Sequence, residues 1–279
     1  MNEKVAAIIL NYNTNQDCYK CIDYLQKQNW DNLDIYLVDN NSTSDMKEDL
    51  KSYSLEHPEI KLVLHDENKG FSAGNNVGLR AAVGNGAKWC LIINPDVELR
   101  DANWISQMMA SISLYPDAAV VGSNVLLPSG ERQNPSRELR YWEELFWFSY
   151  IIRSKLFGFK GYLTEDKQGY CERLSGCCFL IKADFLKEID FLDEHVFMYC
   201  EEPILAKQVR LHGYQELYVN QVTAFHQHFP SQKGNTKKRM QMLFQSREYY
   251  LKYYSGYSKI PLMLLLYSKK LQKKLWRHA

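Results

Sequence analysis

Asn94-Pro95-Asp96 follows directly on the apolar run Trp89-Cys90-Leu91-Ile92-Ile93. That order leaves a lone carboxylate just past what reads as a fully buried strand, the edge at which open α/β sheets bind ligands. By itself the tripeptide is a weak signal, because Asn-Pro-Asp is also ordinary strand-to-turn sequence. A second concentration of acid lies at Glu201-Glu202, followed by Pro203. Proline there suits the first turn of a helix running through Leu205 to Leu211. Both carboxylates would then sit at a helix N-terminus, where negative charge is favoured. A simple helix cap competes with a chemical role for this pair. The preceding Phe197-Met198-Tyr199-Cys200 is too apolar, however, for a purely solvated pair.

The elements that must position these acids read as strands alternating with helices. Val5–Leu10 is a first strand, ending in Asn11-Tyr12-Asn13-Thr14 and followed by an amphipathic stretch from Asn15 to Gln28. Asp34–Val38 is a second, ending in Asp39-Asn40-Asn41-Ser42. Ile60–Leu64 is a third, followed by Asn68-Lys69-Gly70-Phe71-Ser72-Ala73-Gly74-Asn75-Asn76. This alternation predicts an α/β fold with a mostly parallel sheet, its polar strand ends lining one crevice. The turn-forming Asn and Gly residues have a plainer use in the turns themselves.

Composition narrows the classes. A chain of 279 residues fits one large domain with an appended segment. Net charge is +1, so no polyelectrolyte bias points to nucleic acid. Seven cysteines, irregularly spaced and including the adjacent Cys177-Cys178, suit reduced thiols and a cytoplasmic setting. Cys18 and Cys21 make one CxxC inside a predicted helix with no second pair, which reads as buried thiols rather than a metal site. Met1-Asn2-Glu3-Lys4 runs straight into a strand, so no signal peptide is expected. Neither GxGxxG nor a phosphate-binding Gly-x-x-x-x-Gly-Lys-Ser/Thr loop is present, which argues against a nicotinamide enzyme and a P-loop ATPase.

In this order the motifs resemble the nucleotide-sugar half of family 2 glycosyltransferases, which have the GT-A fold. The resemblance is closest to the bacterial cell-surface branch that includes rhamnosyltransferases. It continues through Ser175-Gly176-Cys177-Cys178-Phe179-Leu180-Ile181, through Leu192-Asp193-Glu194 with Phe197-Met198-Tyr199-Cys200-Glu201-Glu202, and to His226 with Ser231 beyond it. It implies a GT-A catalytic domain over 1–232, with a nucleotide-sugar half at 1–125 and an acceptor half at 126–232. A Rossmann-like sheet flanked by helices would be followed by a basic, amphipathic C-terminal helical segment at 233–279.

For the site, the resemblance implies that Asn11 and Asn13 hold the nucleoside and that Asp39 accepts from a pyrimidine N–H. Asn68, Gly70, Asn75 and Asn76 form the third nucleotide element, where glycine permits close backbone approach. Asp96 becomes the metal ligand, with Asn94 supplying an acceptor for a ribose or a metal-bound water. Hard oxygen ligands suit Mg2+ or Mn2+. His226 is a candidate to complete the shell and would favour Mn2+; His228 is an alternative two residues on. Ser175, Gly176 and Tyr199 fall on the acceptor side.

The base is where this chain departs from its relatives. Their pattern is Glu-Asp followed by x-Asp-Leu, with the first Asp as base. Here Glu202 stands where that Asp would be and Ile204 replaces the later one, leaving open which of Glu201 and Glu202 serves. The implied activity is inverting transfer of a hexose from a nucleoside diphosphate to a hydroxyl. Rhamnose from dTDP-rhamnose is favoured and a UDP-sugar is the alternative. The acceptor would be a saccharide or lipid-linked saccharide for capsule, O-antigen or other wall polysaccharide. A sugar-nucleotide pyrophosphorylase would need a Gly-rich basic loop where Asn11-Tyr12-Asn13-Thr14 stands. A non-catalytic scaffold is favoured only by the altered Glu201-Glu202-Pro203-Ile204.

Two segments lie outside this scheme. Arg137 to Tyr162 is dense in aromatic and basic residues, among them Trp142, Phe146, Trp147, Phe148, Tyr150, Phe157 and Phe159. It reads as an acceptor platform, a membrane-facing surface or a local helical core. From Pro261 the tail places Met263, Tyr267, Leu271 and Leu275 at helical spacing opposite Lys269, Lys270, Lys273, Lys274 and Arg277. Such a helix either lies on the inner face of the cytoplasmic membrane or packs on the body, and the resemblance leans toward the membrane. No apolar stretch reaches the ~20 residues that span a bilayer.

Overall fold

The computed structural model describes residues 2–158, 161–227 and 236–277. In chain order the first half contains β1 (Val5–Asn11), α1 (Asn15–Gln26), β2 (Leu33–Asn40), α2 (Ser44–Glu56), β3 (Ile60–His65), α3 (Phe71–Gly84) and β4 (Trp89–Ile93). Then come β5 (Val97–Glu98), α4 (Trp104–Ile112), β6 (Ala118–Leu126), α5 (Tyr141–Leu145), α6 (Phe148–Phe157), β7 (Gly169–Cys171) and β8 (Cys178–Lys182). The chain closes with α7 (Ala183–Glu188), α8 (Glu201–Leu211), β9 (Gln215–His226), α9 (Thr236–Tyr253) and α10 (Lys259–Arg277).

One sheet runs β3-β2-β1-β4-β8-β6-β9-β5, with β7 on the side of β9. Strands β3, β2, β1 and β4 are parallel. The runs of β1, β4 and residues 35–38 of β2 are continuously apolar because both faces are covered, whereas β3, at the sheet edge, carries Lys61 and is half-buried. Val5, Ala7 and Ile9 face the layer that holds α1 and α4, while Ala6 and Ile8 face the layer that holds α3 and α7. Helix α3 lies so close that a Cβ on Gly78 would come within 2.7 Å of Ile8 and Val38. Cys18 and Cys21 are buried on the inner face of α1, as thiol packing requires.

Beyond β4 the sheet changes character. β8 is antiparallel to both β4 and β6, β6 and β9 are parallel, and β5 pairs antiparallel with the end of β9. An antiparallel strand begins where its parallel neighbours end. Ser175-Gly176-Cys177, just before β8, therefore lies beside the end of β4, where the Asn94 N–H donates to the Cys177 carbonyl at 2.8 Å. The mostly parallel character holds through the first four strands, and the insertion of β8 brings acceptor-side residues to the crevice.

The two C-terminal helices buttress the acidic segment. Tyr250, Leu251 and Leu265 form a small core with Val196, Cys200 and Ile204. Beside it the buried Glu144 of α5 is gripped by Arg247 at 2.6 Å and Lys269 at 2.9 Å. Burial alone would raise the Glu144 carboxyl, but these two cations hold it below its ordinary value. The sequence left open whether α10 packs on the body or faces outward, and its two faces differ in just this way. Leu265 is fully buried, whereas Met263, Tyr267, Leu271 and Leu275 are exposed. Among the described residues no helix is long and apolar enough to cross a membrane. The expected boundary near residue 232 lies outside the described residues, as do Phe159, His228 and Ser231.

Candidate active site

Asn11 and Asp39 end adjacent strands and are fully buried. The Asn11 amide donates to Asp39 Oδ1 at 3.1 Å and Asn15 Oδ1 at 2.8 Å, while its oxygen accepts from the Thr14 backbone at 3.0 Å. Asp39 Oδ2 accepts from the Ser42 N–H at 3.0 Å. Asn13, exposed and in the left-handed region at φ 58, accepts from the Thr43 N–H at 2.9 Å. These three side chains thus stitch the loops after β1 and β2 to one another, and Asn13 is the one of the three that faces solvent.

Asn40, the last residue of β2, continues the seam. Its amide donates to Asn68 Oδ1 at 3.1 Å, and the same oxygen accepts from the Gly70 N–H at 3.1 Å. Gly70 is in the left-handed region at φ 102, and a Cβ there would lie 2.0 Å from the Phe197 carbonyl oxygen. That carbonyl accepts from the Phe71 N–H at 2.9 Å. The third donor-side element is thereby pressed against the acidic segment. Asn75 and Asn76 sit inside α3, not in a loop. Asn76 is spent on that segment too, donating to the Leu192 carbonyl at 2.8 Å and Glu194 at 2.7 Å.

At the end of β4, Asp96 meets His226, the last residue of β9, with Nε2 to Oδ1 at 3.2 Å. The link is topological: Val97 pairs with His226 across β5 and β9. On its other side His226 Nδ1 lies 2.7 Å from Gln133 Oε1, an acceptor that holds the ring N–H at Nδ1. Burial would lower the His226 ring, but the Asp96 carboxylate, with Cys177, outweighs it and pushes the ring up to about 10. The proton on Nε2 therefore occupies the position a cation would take. One hard carboxylate oxygen, one imidazole nitrogen and an oriented outer partner fit a divalent ion that takes its remaining ligands elsewhere. Among the described residues no group of three His, Cys, Asp or Glu side chains gathers in metal-binding reach. Gln133 was not legible as a site residue, since nothing local marks a lone Gln after a strand.

Glu201 and Glu202 open α8, directly after Tyr199 and Cys200, both in the left-handed region at φ 72 and φ 66. Strained non-glycine backbone of this kind persists where the surroundings over-determine it. The Tyr199 hydroxyl accepts from Arg239 at 3.2 Å. Pro203 costs no hydrogen bond, because the first-turn N–H groups have no intrahelical partner. The Gly176 N–H donates to Glu202 Oε1 at 3.3 Å. Burial, with the neighbouring Glu202 charge, lifts Glu201 to about 7.

Both carboxylates line a narrow cavity of ≈ 20 Å³ with Ser175, Gly176, Asp193 and a third glutamate, Glu216. Burial pushes Glu216 up to about 8, and its Oε2 accepts from the Leu174 N–H at 2.7 Å. The sequence offered no signal for it, because an acid between Gln215 and Leu217 reads as the outward position of an edge strand. Glu202 alone of the three also lines an open cleft of ≈ 570 Å³, together with Arg132, Gln133, Tyr162, Arg173 and Ser175. Among the described residues of the Arg137–Tyr162 segment, Tyr141 and Leu145 pack against the core of Val196, Ile204 and Leu265, while Trp142 of α5, Phe146 between the helices, and Phe148, Leu156 and Phe157 of α6 are exposed.

Comparison with known proteins bears on the family and the fold. The profile described as "Glycosyl transferase family 2" matches residues 6–190. A "Glycosyltransferase GlyG" of Streptococcus pneumoniae is 27% identical over 124 residues, 44% of this chain and 40% of that protein. The "Low-salt glycan biosynthesis hexosyltransferase Agl10" of Haloferax volcanii is 24% identical over 207 residues, 72% of this chain and 60% of that protein. The match thus spans less than two thirds of either relative. Among solved structures, a mannosyltransferase from Pyrobaculum calidifontis, determined with GDP-Man and Mn2+, superposes with TM-score 0.63 at 16% identity over 100% of this chain and 76% of that one. Staphylococcus aureus TarS with UDP-GlcNAc gives TM-score 0.62 at 13% identity, over 94% of this chain and 70% of that one.

Proposed function

The chain belongs to glycosyl transferase family 2, and from that premise we propose that it moves a sugar from a nucleoside diphosphate to an acceptor hydroxyl with inversion. The observation that carries this reading is the dipeptide Gly176-Cys177. Its first N–H donates to Glu202 at 3.3 Å, and its last carbonyl accepts from Asn94 at 2.8 Å. One short turn therefore holds the candidate base and the Asn94-Pro95-Asp96 corner to the same crevice.

In this mechanism Glu202 takes the proton of the acceptor hydroxyl as that oxygen bonds to the anomeric carbon in one in-line step. Glu202 is chosen over Glu201 because it is the one that also lines the open cleft. Glu201, raised to about 7, carries a proton through much of the neutral range and keeps the pair from holding two charges. Asp96 and His226 would hold Mn2+ or Mg2+, which when bound offsets the charge developing on the departing diphosphate. Asn13, Asn68 and Gly70 lie at the strand ends that would receive the nucleoside, with Asn11 and Asp39 fixing their loops. Asn75 and Asn76 contribute from α3 by anchoring the wall of the site, Asn94 by its place beside Asp96, and Tyr199 by its place before the base.

Rhamnose from dTDP-rhamnose is the favoured donor, on the resemblance in the motifs. A UDP-sugar is the second reading, favoured by the fold neighbour solved with UDP-GlcNAc. The acceptor is a saccharide or lipid-linked saccharide of surface polysaccharide synthesis, met at the inner membrane face. The outward stripe of α10 supports this, with Lys270, Lys273 and Lys274 beside it. The test is a thermal-shift panel of UDP, dTDP, GDP and NAD with and without Mn2+. Metal-dependent stabilisation by UDP or dTDP, absent in Asp96→Ala, is the expected result. No response to either pyrimidine nucleotide would sink the assignment.

A further inference from the structure

Helices α5 and α6 on one side and α9 and α10 on the other enclose an open groove of ≈ 490 Å³. Its walls include Trp147, Tyr150, Phe244, Leu275 and Trp276. That volume falls within the ~300–1,000 Å³ usual for ligand pockets, and the lining is the apolar and aromatic kind such pockets favour. The groove is not isolated. Tyr162 lines it and also lines the cleft that contains Glu202. The two hollows therefore share a wall, and the groove's own acids are taken up in ion pairs, Glu143 with Arg137 and Glu144 with Arg247 and Lys269, leaving its aromatic and aliphatic walls to a ligand.

Charge is placed to match. Arg132 and Arg173 both line the Glu202 cleft. Arg173 Nε donates to Ser136 Oγ at 3.0 Å, and among the described residues no carboxylate lies within ion-pair distance of its guanidinium. Arg132 pairs with Asp166 at 3.8 Å, the carboxylate within ion-pair distance of it among the described residues, and donates to the Asn134 and Thr164 carbonyls; Glu131 also lines the cleft. Guanidinium groups so disposed suit a phosphate. Outside the groove, the exposed Phe146 and Phe148 of α5–α6 and Tyr267 and Leu271 of α10 continue the apolar surface.

We infer that the acceptor is an amphiphile held across both hollows. Its sugar end lies at Glu202, a phosphate or diphosphate lies at Arg132 and Arg173, and a long apolar chain passes Tyr162 into the α5–α6/α9–α10 groove. This rests on the transferase reading for the role of Glu202, but the groove's ligand can be tested without turnover.

The probe is farnesyl phosphate, titrated into the full chain and followed by tryptophan fluorescence, since Trp147 and Trp276 line the groove. Saturable binding is expected, about tenfold weaker in Leu275→Asp, where an exposed rim residue loses apolar contact and gains charge. Tyr150→Asp serves as the second rim variant should the first misfold. Arg173→Gln should weaken farnesyl phosphate but leave farnesol unchanged. Equal binding to wild type and both rim variants overturns the inference, as does equal affinity for farnesol and farnesyl phosphate in the wild type. Binding to phosphatidylglycerol vesicles without binding to farnesyl phosphate also overturns it, and assigns the surface to a bilayer instead. UDP and dTDP thermal shifts on the wild type keep the two readings separate: no response to either nucleotide with farnesyl phosphate binding present sinks the transferase, not the groove.

Discussion

At the ends of β1 and β2 the polar side chains hand hydrogen bonds to one another. Asn11, Asn13, Asp39 and Ser42 are bonded to one another and onward to Thr14, Asn15 and Thr43, so each buried group among them has a partner. Around the cavity at the head of α8 the buried groups are acids instead. Glu201 is raised to about 7 and Glu216 to about 8, both mainly by burial. Two ways of burying polarity thus share one crevice. The donor side is assembled in advance from mostly neutral, largely hydrogen-bonded groups, with only the buried side-chain oxygens of Asn40 and Asn75 without a partner among its described asparagines. The acceptor side keeps carboxylates where ionisation is disfavoured, which makes stability sensitive to pH.

The largest effect that sharpens this contrast is expected from Glu202→Gln. The amide keeps the shape and can keep the contact with Gly176, but it cannot take a proton. Turnover should fall about 10²–10⁴-fold, the usual weight of a general base. Nucleotide-induced thermal shift should be unchanged, because the donor side does not depend on that charge. A loss of nucleotide binding of the same size would break the comparison, since it would make the two sides one unit.

Next in size is the stability of Glu201→Gln. The folded-state carboxyl is raised from 4.5 to about 7, so between those values the folded chain binds more protons than the unfolded one. Its contribution to stability is fully present below the ordinary value and is lost as pH rises through about 7. The cost at pH 8 is on the order of 3 kcal/mol. Glu201→Gln should therefore melt higher than wild type at pH 8 and converge with it near pH 4.5. Urea unfolding at both pH values measures this. A difference that does not change with pH would remove the charge argument from the acceptor side.

What was legible in the sequence divides along the same line. β1, β2 and β4 were readable because burial on both faces leaves apolar runs that end in polar residues, and the edge strand β3 because Leu62, Val63 and Leu64 still stand together. The Asp96–His226 pair came from motif resemblance, and β5 against β9 is what joins them. Less was readable where long-range pairing decides. Periodicity says nothing of β8 entering between β4 and β6, so the route by which Gly176 reaches both halves could not be foreseen. Asn75 and Asn76 looked like turn residues among glycines, yet they lie in α3 because the Leu192 backbone satisfies Asn76 from across the fold. Glu216 and Gln133 carry no local signature at all; their meaning comes from Leu174 and His226.

The smallest effect tests the donor side's independence from pH. Asn13 is exposed and left-handed, and its side chain accepts from the Thr43 N–H at 2.9 Å and the Thr43 hydroxyl at 3.3 Å. Asn13→Ala puts a residue less suited to positive φ in that place and removes an exposed acceptor. The expected loss is about 1–2 kcal/mol. No titrating group takes part in these bonds, so the loss should be the same at pH 5.5 and pH 8.5. Asn13→Gly relieves the backbone while still losing the bonds to Thr43, so it should fall between Ala and wild type unless the entropy of glycine offsets that gain. If instead the Asn13→Ala penalty grew with pH as Glu201 ionises, the loops after β1 and β2 would be coupled to the acid cluster. The path would run through Asn40, Gly70 and the Phe197 carbonyl, the contacts that press the third donor element against the acidic segment.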